Sequence, residues 1–453
     1  MTSPGSMVGL RRLLGNAAWL LVGRASSVGL AILASVVLAA RLGPGGFGGY
    51  AVMAAVVALA NTITSFGTDM ALARAVARTG RADQWSSALG VQWLLSAIAV
   101  AAIWSLSLAI PADAVGLRDG IRIASLALIP AALFNVAGAG LRGARRMANL
   151  AAAGVAGSLA QLVGVWALVP SGSDLGRVAA VLVGAQLVAA LAAWALATRR
   201  LPAFGSRPRI TRSDLVAMVR ASGTIGGLGM LGVVYQRAPV FALSLVAGPL
   251  ATGWFAASAR IADGSTAGHV ALFGALYPEL VVTAEAIDAT PVSTPDATPV
   301  ATPDATRDQA RAARAISLGG SIVIAAILVL FGPAIVGLLY GPSFEPAAAV
   351  LSILAIGVIP SIEATRGSLE LVASGRETAM IGALAGSLAT LVLLLAVLVP
   401  VAAAPGAAWA VLGGELVQAG LVGMASRRRA AAPSAPSARA PRMQSAARGE
   451  ARA

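Results

Sequence analysis

The chain has 453 residues, 58% of them hydrophobic and only 11% charged, with a formal net charge of +14. A soluble domain carries about 25% charged residues; these proportions, with a mean hydropathy of +0.82, exclude one and indicate an all-α polytopic membrane protein. Cysteine is absent, so disulfides and thiolate metal sites are excluded, and all 33 basic residues are arginine.

At about 20 apolar residues per crossing, twelve spans follow one another: 14–40, 47–67, 85–110, 121–141, 148–170, 175–198, 215–247, 252–283, 315–340, 347–373, 378–400 and 404–426. The first apolar run, Leu13 to Ala40, exceeds a signal-peptide core of about 7–15 residues and reads as a retained span. The seventh segment is too long for one straight crossing. Gly223, Gly226, Gly227, Gly229, Gly232 and Pro239 predict a bent or interrupted helix there. Residues 288–303 read DATPVSTP and then DATPVATP, and proline at this density predicts a disordered loop within 285–314. The expected organisation is a short N-terminus (1–13), a first lobe (14–198) and a linker (199–214). A second lobe (215–426), interrupted by the loop, and a disordered basic tail (427–453) follow.

Arginine placement tests the count, because cytoplasmic loops are enriched in positive charge. Twenty-four arginines fall on one side of this arrangement, and four, Arg41, Arg118, Arg122 and Arg177, on the other. Both termini are therefore expected in the cytoplasm, in a multi-pass protein of the cell membrane. The five remaining arginines, Arg24, Arg220, Arg237, Arg260 and Arg366, lie inside predicted spans.

An internal repeat is visible. GPGGFGGYAV from Gly43 pairs with GPLATGWFAA from Gly248, 205 residues on, and AGSLAQLV from Ala156 pairs with AGSLATLV from Ala385, 229 residues on. The offset grows across the interval that holds the Pro-rich loop, as an insertion there would make it. Two six-helix lobes in the same orientation, around a central cavity, are implied.

The runs AARLGPGGFGGYAVMAAVVAL and ITSFGTDMALARAVAR resemble the opening of bacterial polysaccharide flippases of the multidrug, oligosaccharidyl-lipid and polysaccharide exporter superfamily. LLYGPSFEPAAAVLSILAIG resembles their second-half signature, and the likeness covers residues 10–426 apart from the loop. It implies a flippase that exports lipid-linked sugars by alternating access. Many such proteins have an acidic residue beside the arginine of the seventh helix; here VVYQRAPVF puts Ala238 and Pro239 after Arg237.

The buried arginines are the candidate chemistry, because a cation at the centre of a span costs roughly 2.5–3.5 kcal/mol unless a partner or a wet cavity offsets it. Arg24 shares a small, polar helical stripe with Asn16, Ser27, Ala31 and Ser35, a pattern suited to a cavity wall. Arg237 is near mid-depth with Tyr235 and Gln236 beside it; Arg260 is shallower, with Asp263 at i+3. The candidate substrate-binding set is thus Arg24, Ser27, Tyr235, Gln236, Arg237 and Arg260. Guanidinium groups converging between lobes would bind the oxygens of a polyprenyl-pyrophosphate headgroup bidentately. Glu363, Arg366 and Glu370 share one face of the tenth helix, as a structural charge triad or as a site where a carboxylate binds H⁺ or Na⁺. Glu415 is a second coupling candidate, His269 reads as packing, and Asp69 reads as a cap on the basic stretch after the second span.

No Walker loop, HExxH, metal cluster or hydrolase elbow is present, so neither a cofactor nor an enzymatic reaction is expected. The leading expectation is export of a lipid-linked oligosaccharide. Membrane lipids and a coupling ion would be its small partners, polysaccharide polymerase and glycosyltransferases its protein partners, and nucleic acid none. The alternatives are a multidrug exporter of the same superfamily and a transport-inactive scaffold for polysaccharide assembly.

Overall fold

The computed structural model describes residues 4–80, 84–110, 115–205, 212–265, 303–373 and 376–431. All regular secondary structure among them is helical: α1 (Pro4–Ser65), α2 (Thr68–Thr79), α3 (Trp85–Leu106), α4 (Val115–Ser125), α5 (Leu128–Gly143), α6 (Met147–Leu168), α7 (Leu175–Arg200), α8 (Arg212–Val246), α9 (248–265), α10 (Pro303–Tyr340), α11 (Ala347–Ala373) and α12 (Glu377–Ala431), with short 3₁₀ turns between some of them. Nine helices among the described residues are long and apolar enough to cross a membrane. Two of the nine, Ser26–Ser65 and Thr378–Ser426, are each broken once, at Gly43 (φ 65°, ψ 177°) and at Ala403 (φ 47°, ψ −123°), and so serve as two crossings. Eleven of the twelve expected spans thus have a counterpart among the described residues, and α9 lies where the eighth was expected.

The breaks have local causes. Gly43 precedes Pro44, and only glycine enters the left-handed region freely, while proline suits the first position of the next helix. The same device recurs at Gly248–Pro249 (φ 80° at Gly248) and Gly341–Pro342 (φ 85° at Gly341). Between α4 and α5 the chain makes i→i+3 bonds, from Leu126 to Ile123, Ala127 to Ala124 and Ile129 to Leu126, just where Pro130 has no N–H to continue the α ladder. The fourth span is thus split, which hydropathy alone did not reveal.

α8 runs unbroken from Arg212 to Val246 with Pro239 inside it, so of the two forms expected for this segment, bent or interrupted, the interruption does not occur. Three expectations are corrected. α10 starts at Pro303, so 303–314 are helical and not loop; Pro303 occupies a tolerated first-turn position, and DATRDQARAARA is rich in helix formers. α12 continues to Ala431, so the first residues of the expected tail, 427–431, belong to a helix. The basic stretch after the second span is helix α2, set off by left-handed Phe66 (φ 43°) and Gly67 (φ 73°) and burying Leu72, Ala73 and Val76. Gly67 is its N-cap without a side-chain bond, and Asp69 instead pairs with Arg142 at 3.7 Å. The repeat at 288–303, apart from Pro303, and His269 lie outside the described residues.

Helices α1 to α7 pack against one another, and α8, α10, α11 and α12 form a second set. Between the sets, α8 touches α1, α2 and α3, and α1 touches α10. The closest approach joins the two copies of the repeat. A Cβ on Gly48 would lie 1.9 Å from the Pro249 carbonyl oxygen, and one on Gly253 would lie 1.9 Å from that of Pro44. Each glycine meets the other copy's proline, the reciprocity that a two-fold axis requires. At the arginine-rich end a second glycine pair closes the joint: a Cβ on Gly67 would be 2.8 Å from Gly226 N, and one on Gly226 2.8 Å from Phe66 O.

Arginines at the arginine-poor end cap helices. Arg118 donates to the Ser107 and Leu108 carbonyls at 3.1 and 3.0 Å, where α3 ends. Arg41 donates to the Val169 carbonyl at the end of α6. Cations at helix C-termini also meet the favourable end of the macrodipole.

Gly48→Ala and Gly253→Ala should each destabilise the protein by about 1–3 kcal/mol, the usual cost of overpacking. Gly45→Ala, whose Cβ would meet open space, should be silent. Thermal unfolding of the three purified variants in one detergent checks the contrast.

Candidate functional site

Two guanidinium groups meet where the two sets of helices join. At 1.5 Å per residue, Arg237 on α8 stands about 16 Å from the turn at Gly248 and Arg260 on α9 about 18 Å from it. Arg260 is therefore as deep as Arg237 rather than shallower, because α9 begins at the Gly-Pro turn and not at residue 252. The two side chains are electrostatic neighbours, and both face Asp263, one turn from Arg260, so one carboxylate serves two cations. Arg260 Nη2 reaches Tyr50 Oη on α1 at 3.5 Å. The Nε of Arg237 is buried without a hydrogen-bond partner.

Above this cluster, toward the arginine-poor end, Phe47, Tyr50, Tyr340 and Phe344 pack in tilted and edge-on pairs at centroid distances of 5.4–6.1 Å. All four are buried and bridge α1 to the end of α10. Ser35 Oγ lies 3.3 Å from Tyr340 Oη, while Leu33, on the other face of the helix, is 52% exposed. Ser27 is half-buried; a Cβ on Gly154 of α6 would be 3.5 Å from its Oγ. The Ser27–Ala31–Ser35 part of the expected stripe faces inward. Arg24 belongs to α1, but its side chain lies outside the described residues.

Tyr235 does not join Arg237. It is buried toward α12, its hydroxyl near Glu415 and Ser387 without a hydrogen bond of good geometry to either. Ser387 instead donates to the Gly414 carbonyl at 2.8 Å. Gln236 is exposed on α8. The tenth-span charges do come together: Arg366 pairs with Glu363 at 3.1 Å and with Glu370.

A cavity of about 440 Å³ opens beside the cluster, within the first helix set, with Arg260 on its wall. Its polar lining is neutral apart from that arginine and includes Asn61, Asn135, Ser158, Gln161 and Gln186. Asn135 donates to Asn61 at 3.1 Å and to Gln92 at 3.5 Å, and Gln92 donates to Thr68 at 2.8 Å. A second cavity, of about 390 Å³, is wholly apolar and lies between α1 (Leu59), α8 (Val234, Ala238, Phe241) and α12 (Leu395, Pro400).

Sequence reasoning passed over the amides because it followed charge. The signal was nonetheless there: of the chain's twelve asparagines and glutamines, five (Asn61, Gln92, Asn135, Gln161, Gln186) line this one cavity or bond to its lining.

The fold matches solved transporters. A multidrug resistance MATE family transporter of the MOP superfamily, in its inward-facing conformation, superposes with a TM-score of 0.67 at 16% identity, over 91% of this chain and 98% of that one. The outward-facing conformation of a MATE family transporter matches at 0.65 and 17%, covering 93% and 95%. A MOP superfamily transporter from Pyrococcus furiosus, described by the reverse polarity of its binding pocket, matches at 0.61 and 17%, covering 92% and 95%. With charged and polar groups collected inside an all-helical, multi-pass bundle, the chain has the fold of MOP superfamily transporters. Over residues 13–282, more than half its length, the chain matches the family described as polysaccharide biosynthesis protein, and it belongs to that family. No curated protein matches it in sequence.

Arg366→Gln leaves two carboxylates about two turns apart with no cation between them. We expect a loss of about 1 kcal/mol, discounted because Glu370 is 36% exposed. A double-mutant cycle by thermal unfolding checks it, with Glu363→Gln restoring most of the loss.

Proposed function

We propose that the protein carries a polyprenyl-pyrophosphate-linked oligosaccharide across the cell membrane, from the cytoplasmic to the outer leaflet, for surface-polysaccharide assembly. The observation that carries this reading is the proximity of Arg237 and Arg260 at mid-depth, with Asp263 the one carboxylate near both among the described residues. Two cations sharing one carboxylate have capacity left for an anion, and a guanidinium fork matches phosphate oxygens two at a time. In a site partly screened from water that attraction is stronger than at a surface.

The rest of the molecule supports the same cargo. The apolar groove between α1, α8 and α12 borders Arg237 on its helix, through Val234 and Ala238, and suits an isoprenoid chain that stays in contact with lipid while the headgroup enters the bundle. The arginine asymmetry supports cytoplasmic termini. For coupling, Glu363 and Glu370 are committed to Arg366, whereas no cation faces Glu415 among the described residues. Glu415 is therefore the carboxylate we assign to binding H⁺ or Na⁺.

A second reading, export of drugs, is favoured by the multidrug transporters whose fold this chain shares. Those cargoes are commonly organic cations, and a net positive cluster repels them. The scaffold reading rests on the Pro-rich loop, most of which lies outside the described residues.

The test is flux. In proteoliposomes loaded with a fluorescent polyprenyl-pyrophosphate oligosaccharide, Arg237→Gln and Arg260→Gln should each slow translocation at least tenfold, about 1.4 kcal/mol. Glu415→Gln should abolish acceleration by an imposed ion gradient while leaving lipid binding intact. Unchanged flux in both arginine variants, or transport of an organic cation in place of the lipid, removes the proposal.

A further inference from the structure

The amide-lined cavity is left unused by a site that engages only phosphates and an isoprenoid chain. Its amides fall into two groups. Asn61, Asn135 and Gln92 satisfy one another and Thr68. Gln161, Gln186 and Ser158 line the same space and make no side-chain hydrogen bond among the described residues. A primary amide offers two donors and an acceptor with two lone pairs, so two glutamines and a serine leave a dense set of unspent valences facing inward. Within a membrane-spanning bundle such groups are costly unless water or a polar ligand meets them.

The lining selects the ligand's charge. Among its residues no carboxylate occurs, which disfavours a cation, and the single guanidinium, Arg260, is the electrostatic neighbour of Arg237. A neutral, hydroxyl-rich body with an anionic end placed at Arg260 fits both features. Phe134 and Tyr50 add aromatic surface to the same lining, suited to the apolar face of a sugar ring. A volume of about 440 Å³ falls within the range of small-ligand sites, about 300–1,000 Å³.

We propose that this cavity within the first helix set is a carbohydrate subsite, in which Gln161, Gln186 and Ser158 read the hydroxyls of neutral sugars next to the phosphate. The inference rests on the reading of the cargo as a lipid-linked oligosaccharide and adds where its glycan is held. It assigns selectivity to residues distinct from the arginines: phosphate contacts give affinity common to all such lipids, and the amides discriminate among glycans.

Binding of two probes to the purified full-length protein in lipid nanodiscs separates the two claims: bare polyprenyl pyrophosphate, and the same lipid bearing a neutral hexose trisaccharide. The double variant Gln161→Leu/Gln186→Leu should lose about tenfold in affinity for the glycosylated lipid and keep parental affinity for the bare one. Gln161→Asn, which retains an amide one methylene back, should hold part of the preference. Thermal unfolding midpoints equal to the parent's establish that the variants are folded; a lowered midpoint moves the same comparison to single Gln161→Met and Gln186→Met variants. Equal affinities of parent and variants for both probes overturn the subsite alone. Failure of the parent to bind either probe overturns the lipid-linked cargo and the subsite with it.

Discussion

The architecture depends on one steric fact, that two helices touch where neither has a side chain. The Pro44 carbonyl faces Gly253 and the Pro249 carbonyl faces Gly48, each at a distance that no Cβ could occupy. In lipid, where apolar burial gives little drive for helices to associate, small residues that let backbones approach supply the attraction instead. The reciprocity of the contact ties the two halves of the chain at one point near the arginine-poor end. The buried rings of Phe47, Tyr50, Tyr340 and Phe344 close around that point. The cations come next in depth, so the crossing sets what can approach them from that side.

The electrostatic arrangement follows from the scarcity of charge within the spans. Each ionised group there must be answered, and the chain answers its charges in different ways. Arg366 is answered by two carboxylates on its own helix. Asp263 is shared by Arg237 and Arg260, with Tyr50 as a polar neighbour from the other half. The first, confined to one helix, has an excess of one negative charge; the second, drawn from two helices, has an excess of one positive charge. That difference, more than burial alone, separates a structural cluster from a candidate site.

Much of the fold was legible because the bilayer imposes a simple code: long apolar runs, arginine on one side, Gly-Pro at the turns. The Gly43 and Gly248 segments could be matched by eye, and the structure joins them in reciprocal contact. Interruptions were harder to read. Pro130 splits a span while Pro239 leaves α8 continuous, a difference that depends on whether neighbouring helices satisfy the freed backbone groups. Helix α2 escaped notice because its twelve residues are too short and too polar for a hydropathy criterion. At the site, the arginines announced themselves, but the orientation of Tyr235 and the depth of Arg260 needed the true starts of their helices. The amides were invisible as a group, since Asn61, Asn135, Gln161 and Gln186 come from four different helices and meet only on folding.

The shared carboxylate has one more implication. On the proposed function, an arriving anion meets the excess positive charge and also Asp263, which already occupies part of the coordination around the two guanidinium groups. The resident acid competes for the same guanidinium forks and shortens the stay of whatever displaces it. A carrier of the proposed kind must let go as readily as it captures, and an internal rival set one helical turn from Arg260 would supply that reversibility.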